Sequence, residues 1–167
     1  NAMLHERVQG LTPLHAACGS RGQPAVLALL IQRCELMAWN SQPHKCNLLD
    51  GARNTPLHTC TKLAPHPLKS FPILLEHGAN PNLQTKIKGY SCLHLAVLAN
   101  KPEIIIELVT KTQANPYLPD FGGRTLQDMV EIFIPSYLES FKALLENCIH
   151  TVSFLTILYN QTRLKKA

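Results

Sequence analysis

Charge and aromatic surface are both scarce in this chain: charged residues make up 16% and aromatic residues 6% of its 167 positions. With hydrophobic residues at 46%, scarce charge excludes a chain disordered throughout, because there is enough apolar material for a core. Scarce rings disfavour a nucleic-acid surface, which needs aromatics interleaved with its cations for base stacking. No apolar run suits a bilayer. The most apolar late stretch, Cys148 to Tyr159, is short and broken by His150, Thr151 and Ser153. There is no charged leader ahead of an apolar stretch, no phosphate loop, no dinucleotide fingerprint and no paired-carboxylate motif. Six cysteines are present, but Cys18, Cys34, Cys46, Cys60, Cys92 and Cys148 lack the spacing of a disulfide framework. Reduced thiols and an intracellular setting, cytoplasm or nucleus, are expected.

What is present is a repeat. Thr12-Pro13-Leu14-His15 recurs unchanged as Thr55-Pro56-Leu57-His58, then as Ser91-Cys92-Leu93-His94, and faintly as Thr125-Leu126-Gln127-Asp128. The copies start 43, 36 and 34 residues apart, tightening toward a period of about 33. Each copy suits a helix start: the hydroxyl caps an unpaired amide, and proline at the first helical position loses no bond. Gly10, Gly89 and Gly123 stand two residues ahead of three copies, where they permit the positive φ of a tight turn; at the second, Gly51 is four residues ahead with Arg53 in between, so an irregular turn is expected. Each motif is followed by a short inner helix and then by a second helix with an apolar stripe. The second helices are predicted at Pro24–Arg33, Ser70–His77, Pro102–Lys111 and Ser136–Asn147. Gly78-Ala79-Asn80-Pro81-Asn82 and Ala114-Asn115-Pro116-Tyr117 end two of them and lead into extended fingers.

These residues resemble the ankyrin-repeat family, through both TPLH copies, SCLHLA at 91–96, ILLEHGANPN at 73–82 and DFGGRT at 120–125. The resemblance covers about residues 9–147 and implies an all-α solenoid of about four helix-turn-helix repeats with short hairpin fingers. On that basis residues 1–3 are a cloning remnant and 4–147 the repeat domain, with repeats near 10–50, 51–88, 89–122 and 123–147. Residues 148–167 are expected to form a C-terminal helix and basic tail. The sequence departs from the family pattern in two expected insertions, at 34–54, holding Trp39, Pro43 and His44, and at 62–69. The longer first insertion resembles in part the inhibitor-of-NF-κB-type ankyrin proteins, which bind a transcription factor.

Candidate chemistry is weighed against the repeat. His15, His58 and His94 share one repeat position with their hydroxyl partners Thr12, Thr55 and Ser91. The resemblance implies that each imidazole bonds turn backbone between repeats, since a catalyst or metal would not need the same histidine once per repeat. The neighbours His15/Cys18, His44/Cys46, His58/Cys60 and Cys92/His94 raise zinc, but Cys18, Cys60 and Cys92 occupy different repeat positions and form no paired ligand sets. No catalytic residue, metal or cofactor is expected, nor a small-molecule substrate.

The resemblance implies a protein partner held by the finger tips and the open face of the inner helices. Mapped onto this chain, the contacts are Lys62, Gln84, Lys86, Lys88, Leu95, Leu98, Asp120 and Phe121. Leu95 and Leu98 either form an exposed interface centre or pack against neighbouring inner helices. The net charge of +5, part of it in Arg163, Lys165 and Lys166, fits solvated charges or an acidic protein partner better than nucleic acid. A monomer acting as adaptor, inhibitor or effector (in a host cell, if bacterial or viral) is one reading. A targeting module for an enzyme lying outside this segment is the other.

Overall fold

The structure is a computed structural model and describes residues 11–19, 24–36, 45–64 and 67–147. The tail at 148–167 and the loop holding Trp39, Pro43 and His44 lie outside the described residues. Helix starts fall where the caps place them. α1 is Pro13–Gly19, α2 Pro24–Leu36, α3 Pro56–Leu63, α4 Pro67–Glu76, α5 Cys92–Leu98, α6 Pro102–Lys111 and α7 Leu126–Phe133. A 3-10 turn at Pro135–Tyr137 runs into α8, residues 138–147. Proline occupies the first position of five of these helices, where its absent N–H would be unpaired anyway.

The inner helices stack in order, α1 on α3, α3 on α5 and α5 on α7; the outer ones do the same, α2 on α4 and α4 on α6. No single helix pair could bury its own apolar stripe, so each leans on the next. The seam holds Leu14, Leu57 and Leu93 at the third motif position, with Leu27, Phe71, Leu74, Ile104, Leu108 and Phe141 from the outer layer, as one connected core. Full burial of each such side chain is worth about 1.5–3 kcal/mol. Repeat four shifts this pattern by one residue: Leu126 is buried and Gln127 exposed.

One element differs from expectation. The expected insertion at 62–69 is absent: α4 begins at Pro67, and the step from Leu63 to Pro67 equals that from Leu98 to Pro102. The prolines mislead because Pro67 opens the helix rather than delaying it, and Pro72 is accommodated inside it. Each finger is a loop closed by two backbone bonds: Asp50 N–H to Asn54 O at 2.9 Å with Arg53 N–H to Asp50 O at 3.0 Å, Thr85 N–H to Tyr90 O at 3.0 Å with Gly89 N–H to Thr85 O at 3.1 Å, and Asp120 N–H to Arg124 O at 2.9 Å with Gly123 N–H to Asp120 O at 3.0 Å.

Every finger needs one residue of positive φ just before its motif. Gly89 (φ 68) and Gly123 (φ 78) supply two, and Arg53 (φ 59) is held in the same region despite its Cβ. Arg53→Gly is therefore expected to stabilise the fold by about 0.5–1 kcal/mol, the relieved strain being partly offset by glycine's chain entropy. Urea unfolding of the two proteins checks this; a lower midpoint in the variant contradicts the strain.

Candidate functional site

The motif histidines act locally first. The backbone N–H of Thr12, Thr55 and Ser91 donates to Nδ1 of His15, His58 and His94 at 3.3, 3.0 and 3.1 Å, which leaves the ring proton on Nε2. From there His15 donates to Asn54 O and His58 to Leu83 O, each at 2.9 Å, joining one repeat to the next finger. His94 Nε2 is buried near the Arg124 backbone without a hydrogen bond of standard geometry. Burial lowers the proton affinity of His94 and takes His58 down to about 4, so both rings are neutral at physiological pH. Asp128 stands at the histidine position of repeat four and closes its own cap, accepting from Thr125 N–H at 2.7 Å.

Two further links were not foreseen from the sequence. Asparagines lace the finger bases together: Asn80 N–H donates to Asn47 Oδ1 at 2.8 Å, and Asn115 N–H to Asn82 Oδ1 at 2.7 Å, while their amides return to Gly78 O and Gln113 O. A signal existed, for both pairs are 33 residues apart. Lys101 Nζ donates to Thr61 O at 2.9 Å and Ala64 O at 3.1 Å, placing a cation on the carbonyl end of α3.

The thiols are structural neighbours. Cys18, Cys46, Cys60 and Cys92 are buried. Cys18 and Cys60, though at different repeat positions, meet by a thiol hydrogen bond that, with burial, pushes Cys18 far up. Their motif offsets differ by one residue, and packed inner helices bring such adjacent positions within reach. Burial likewise raises the Cys92 thiol. Among the described residues no group of three or more His, Cys, Asp or Glu could hold a metal ion.

A groove of about 460 Å³ opens between the fingers and the inner helices. Its walls include Leu63, Leu95, Leu98 and Ala99 from α3, α5 and the turn that follows, with Ile87, Lys88 and Tyr90 from a finger and Lys62 at the end of α3. Leu63 is 62% exposed, Ile87 77% and Leu98 40%, whereas Leu95 at 6% lies in the floor. Of the leucine pair, Leu98 is thus exposed and Leu95 packed. Tyr90 is fixed by stacking on His94, ring centroids 6.0 Å apart, and its hydroxyl accepts from Arg124 at 3.3 Å.

The remaining candidates separate. Lys86 and Lys88 are exposed at the finger tip. Gln84 is half-buried, and its amide donates to Gly89 O at 2.7 Å and Pro119 O at 2.8 Å, tying two fingers together. Phe121 is 64% exposed, its N–H bonded to Lys88 O and its ring over Gly89, where any Cβ would run into it. Asp120 corrects the expectation of an exposed contact, being only 4% exposed. Burial opposes its charge, but donors from Arg124 and Gly122 outweigh that and hold the carboxyl below its usual range. Asp120 shapes its own loop, as Asp50 does through Ala52 and Asn54. Arg124 is committed to Asp120 at 2.7 Å.

No helix among the described residues is long and apolar enough to cross a membrane. Residues 9–41 and 88–121 match the family model for the ankyrin repeat. The first match covers α1 and α2, the second α5 and α6 with the finger tips around them. The stacked helix pair α3–α4 between them repeats the same capping box, the same buried leucine and the same histidine link. The two matched segments are ankyrin repeats, and the stacked helix pairs have the all-helical architecture of an ankyrin solenoid.

Proposed function

We propose that the chain is a non-catalytic binding module whose groove receives a segment of a partner protein, in the manner of an adaptor or inhibitor. Ankyrin repeats are in general protein-interaction modules. The observation that carries the proposal is the groove itself: apolar side chains that a lone solenoid would gain by covering stand exposed beside rigid, hydrogen-bonded fingers. The candidate contacts that remain are Lys62, Lys86, Lys88, Leu98 and Phe121, with Leu95 as floor and Gln84 as a brace between fingers. Asp120 and Arg124 are spent on each other. A nucleic-acid surface gains no support, because Tyr90 is stacked inward on His94 and Arg124 is paired.

Alanine at Lys86, Lys88 and Leu98 together is expected to cut capture of partner proteins about tenfold or more. All three side chains are exposed, so the melting temperature should stay unchanged. Quantifying captured proteins beside a thermal melt checks both parts. Undiminished capture, or an early melt, contradicts the assignment.

A further inference from the structure

We infer that the groove takes an acidic amphipathic helix from the partner, laid across the ends of the inner helices. The inference rests on the groove being a protein-binding surface and adds the chemistry of its occupant. Charge gives the first argument. The groove wall contains Lys62 and Lys88 and no carboxylate, and Lys86 is exposed on the same finger as Lys88. The ion pairs among the described residues involve none of the three. The two finger carboxylates cannot serve as internal counter-charges: Asp50 is saturated by Ala52 and Asn54, and Asp120 by Gly122 and Arg124. An apolar floor edged by uncompensated ammonium groups favours a ligand with apolar anchors and flanking Asp or Glu, and penalises a basic one.

Spacing gives the second. Leu63 ends α3, Leu98 ends α5, and Ile132 and Phe133 end α7, so successive inner helices each leave large apolar surface exposed at their last residues. Packed helices lie roughly 8–10 Å apart. A ligand helix climbs about 1.5 Å per residue, so an apolar residue every seventh position recurs at roughly 10.5 Å. An extended strand repeats a face at about 6.7 or 13 Å and fits this interval poorly. The occupant therefore meets each repeat with one anchor every second turn.

The test is selection from a display library of random peptides of about eighteen residues, enough to cross three inner helices, on the intact chain. Labelled winners are then titrated against variants by fluorescence anisotropy. The winners are expected to be rich in Asp and Glu, with apolar residues at seven-residue intervals. Lys62→Glu with Lys88→Glu should weaken them about tenfold or more, and the milder Lys62→Gln with Lys88→Gln by less, with the loss shrinking at high salt. Leu63→Asp with Leu98→Asp should abolish binding. Neutral or basic winners that still need Leu63 and Leu98 overturn the acidic helix while leaving the groove a protein site. So do acidic winners with strict two-residue alternation. Failure to enrich, or binding indifferent to both pairs of substitutions, overturns the inference and the proposed function together. A labelled single-stranded oligonucleotide bound by the wild type and released by Lys62→Glu with Lys88→Glu also overturns both.

Discussion

His58→Ala is expected to lower the free energy of unfolding by about 1–3 kcal/mol at neutral pH, with a matching fall in urea midpoint. The side chain is fully buried and both its nitrogens are used: Nδ1 accepts from Thr55 N–H, and Nε2 donates to Leu83 O. Alanine strands an amide and a carbonyl at the joint between repeats two and three. The same residue sets an acid response. Burial depresses its pKa from 6.5 to about 4, so between those values the unfolded chain takes up a proton that the folded chain refuses. The stabilisation is complete above pH 6.5 and drains away as the pH falls toward 4, by roughly 3 kcal/mol over the window. His94 is shifted in the same direction for the same reason. The variant lacks the His58 share of that loss, so its stability curve and that of the wild type converge on acidification. Parallel curves, or an unchanged midpoint at neutral pH, contradict the account.

Leu93→Ala is expected to cost more, about 2–5 kcal/mol. Leu93 is fully buried on α5, the one inner helix that packs on both α3 and α7. The lost methyl groups leave a cavity that the capped, proline-started helices around it cannot readily close. In a solenoid each repeat is held chiefly by its neighbours, so a weak third repeat also loosens the fourth. Amides of α7 and α8 should exchange markedly faster in the variant, while those of α1 change less. Denaturant unfolding gives the total, and a loss below about 1 kcal/mol contradicts the packing described.

The repeat and its helix starts were legible because they depend on short-range chemistry: a hydroxyl cap, a proline and a histidine within four residues. Leu14, Leu57 and Leu93 could be placed in one seam for that reason alone. The site was only half legible. Exposure of Leu98 and burial of Leu95 both follow from where α5 ends and how α3 and α7 flank it, which no local pattern encodes. Asp120 looked like a finger-tip charge, yet its neighbours Gly122 and Arg124 fold back onto it. Lys101, an ordinary surface lysine in the sequence, caps a helix of the preceding repeat. The asparagine lacing was present as a 33-residue echo, but its partners are backbone atoms, which leave no trace in residue identity. Pro67 and Pro72 suggested a detour where there is a helix, since proline marks a start as readily as a stop.

The most direct test of the binding groove is amide hydrogen exchange of the chain with and without a selected peptide ligand. Protection is predicted in the segments 60–64, 85–90 and 95–99, with α2, α4 and α6 unchanged on their outer faces. Protection confined to those outer helices, with the three groove segments exchanging as before, would contradict the account.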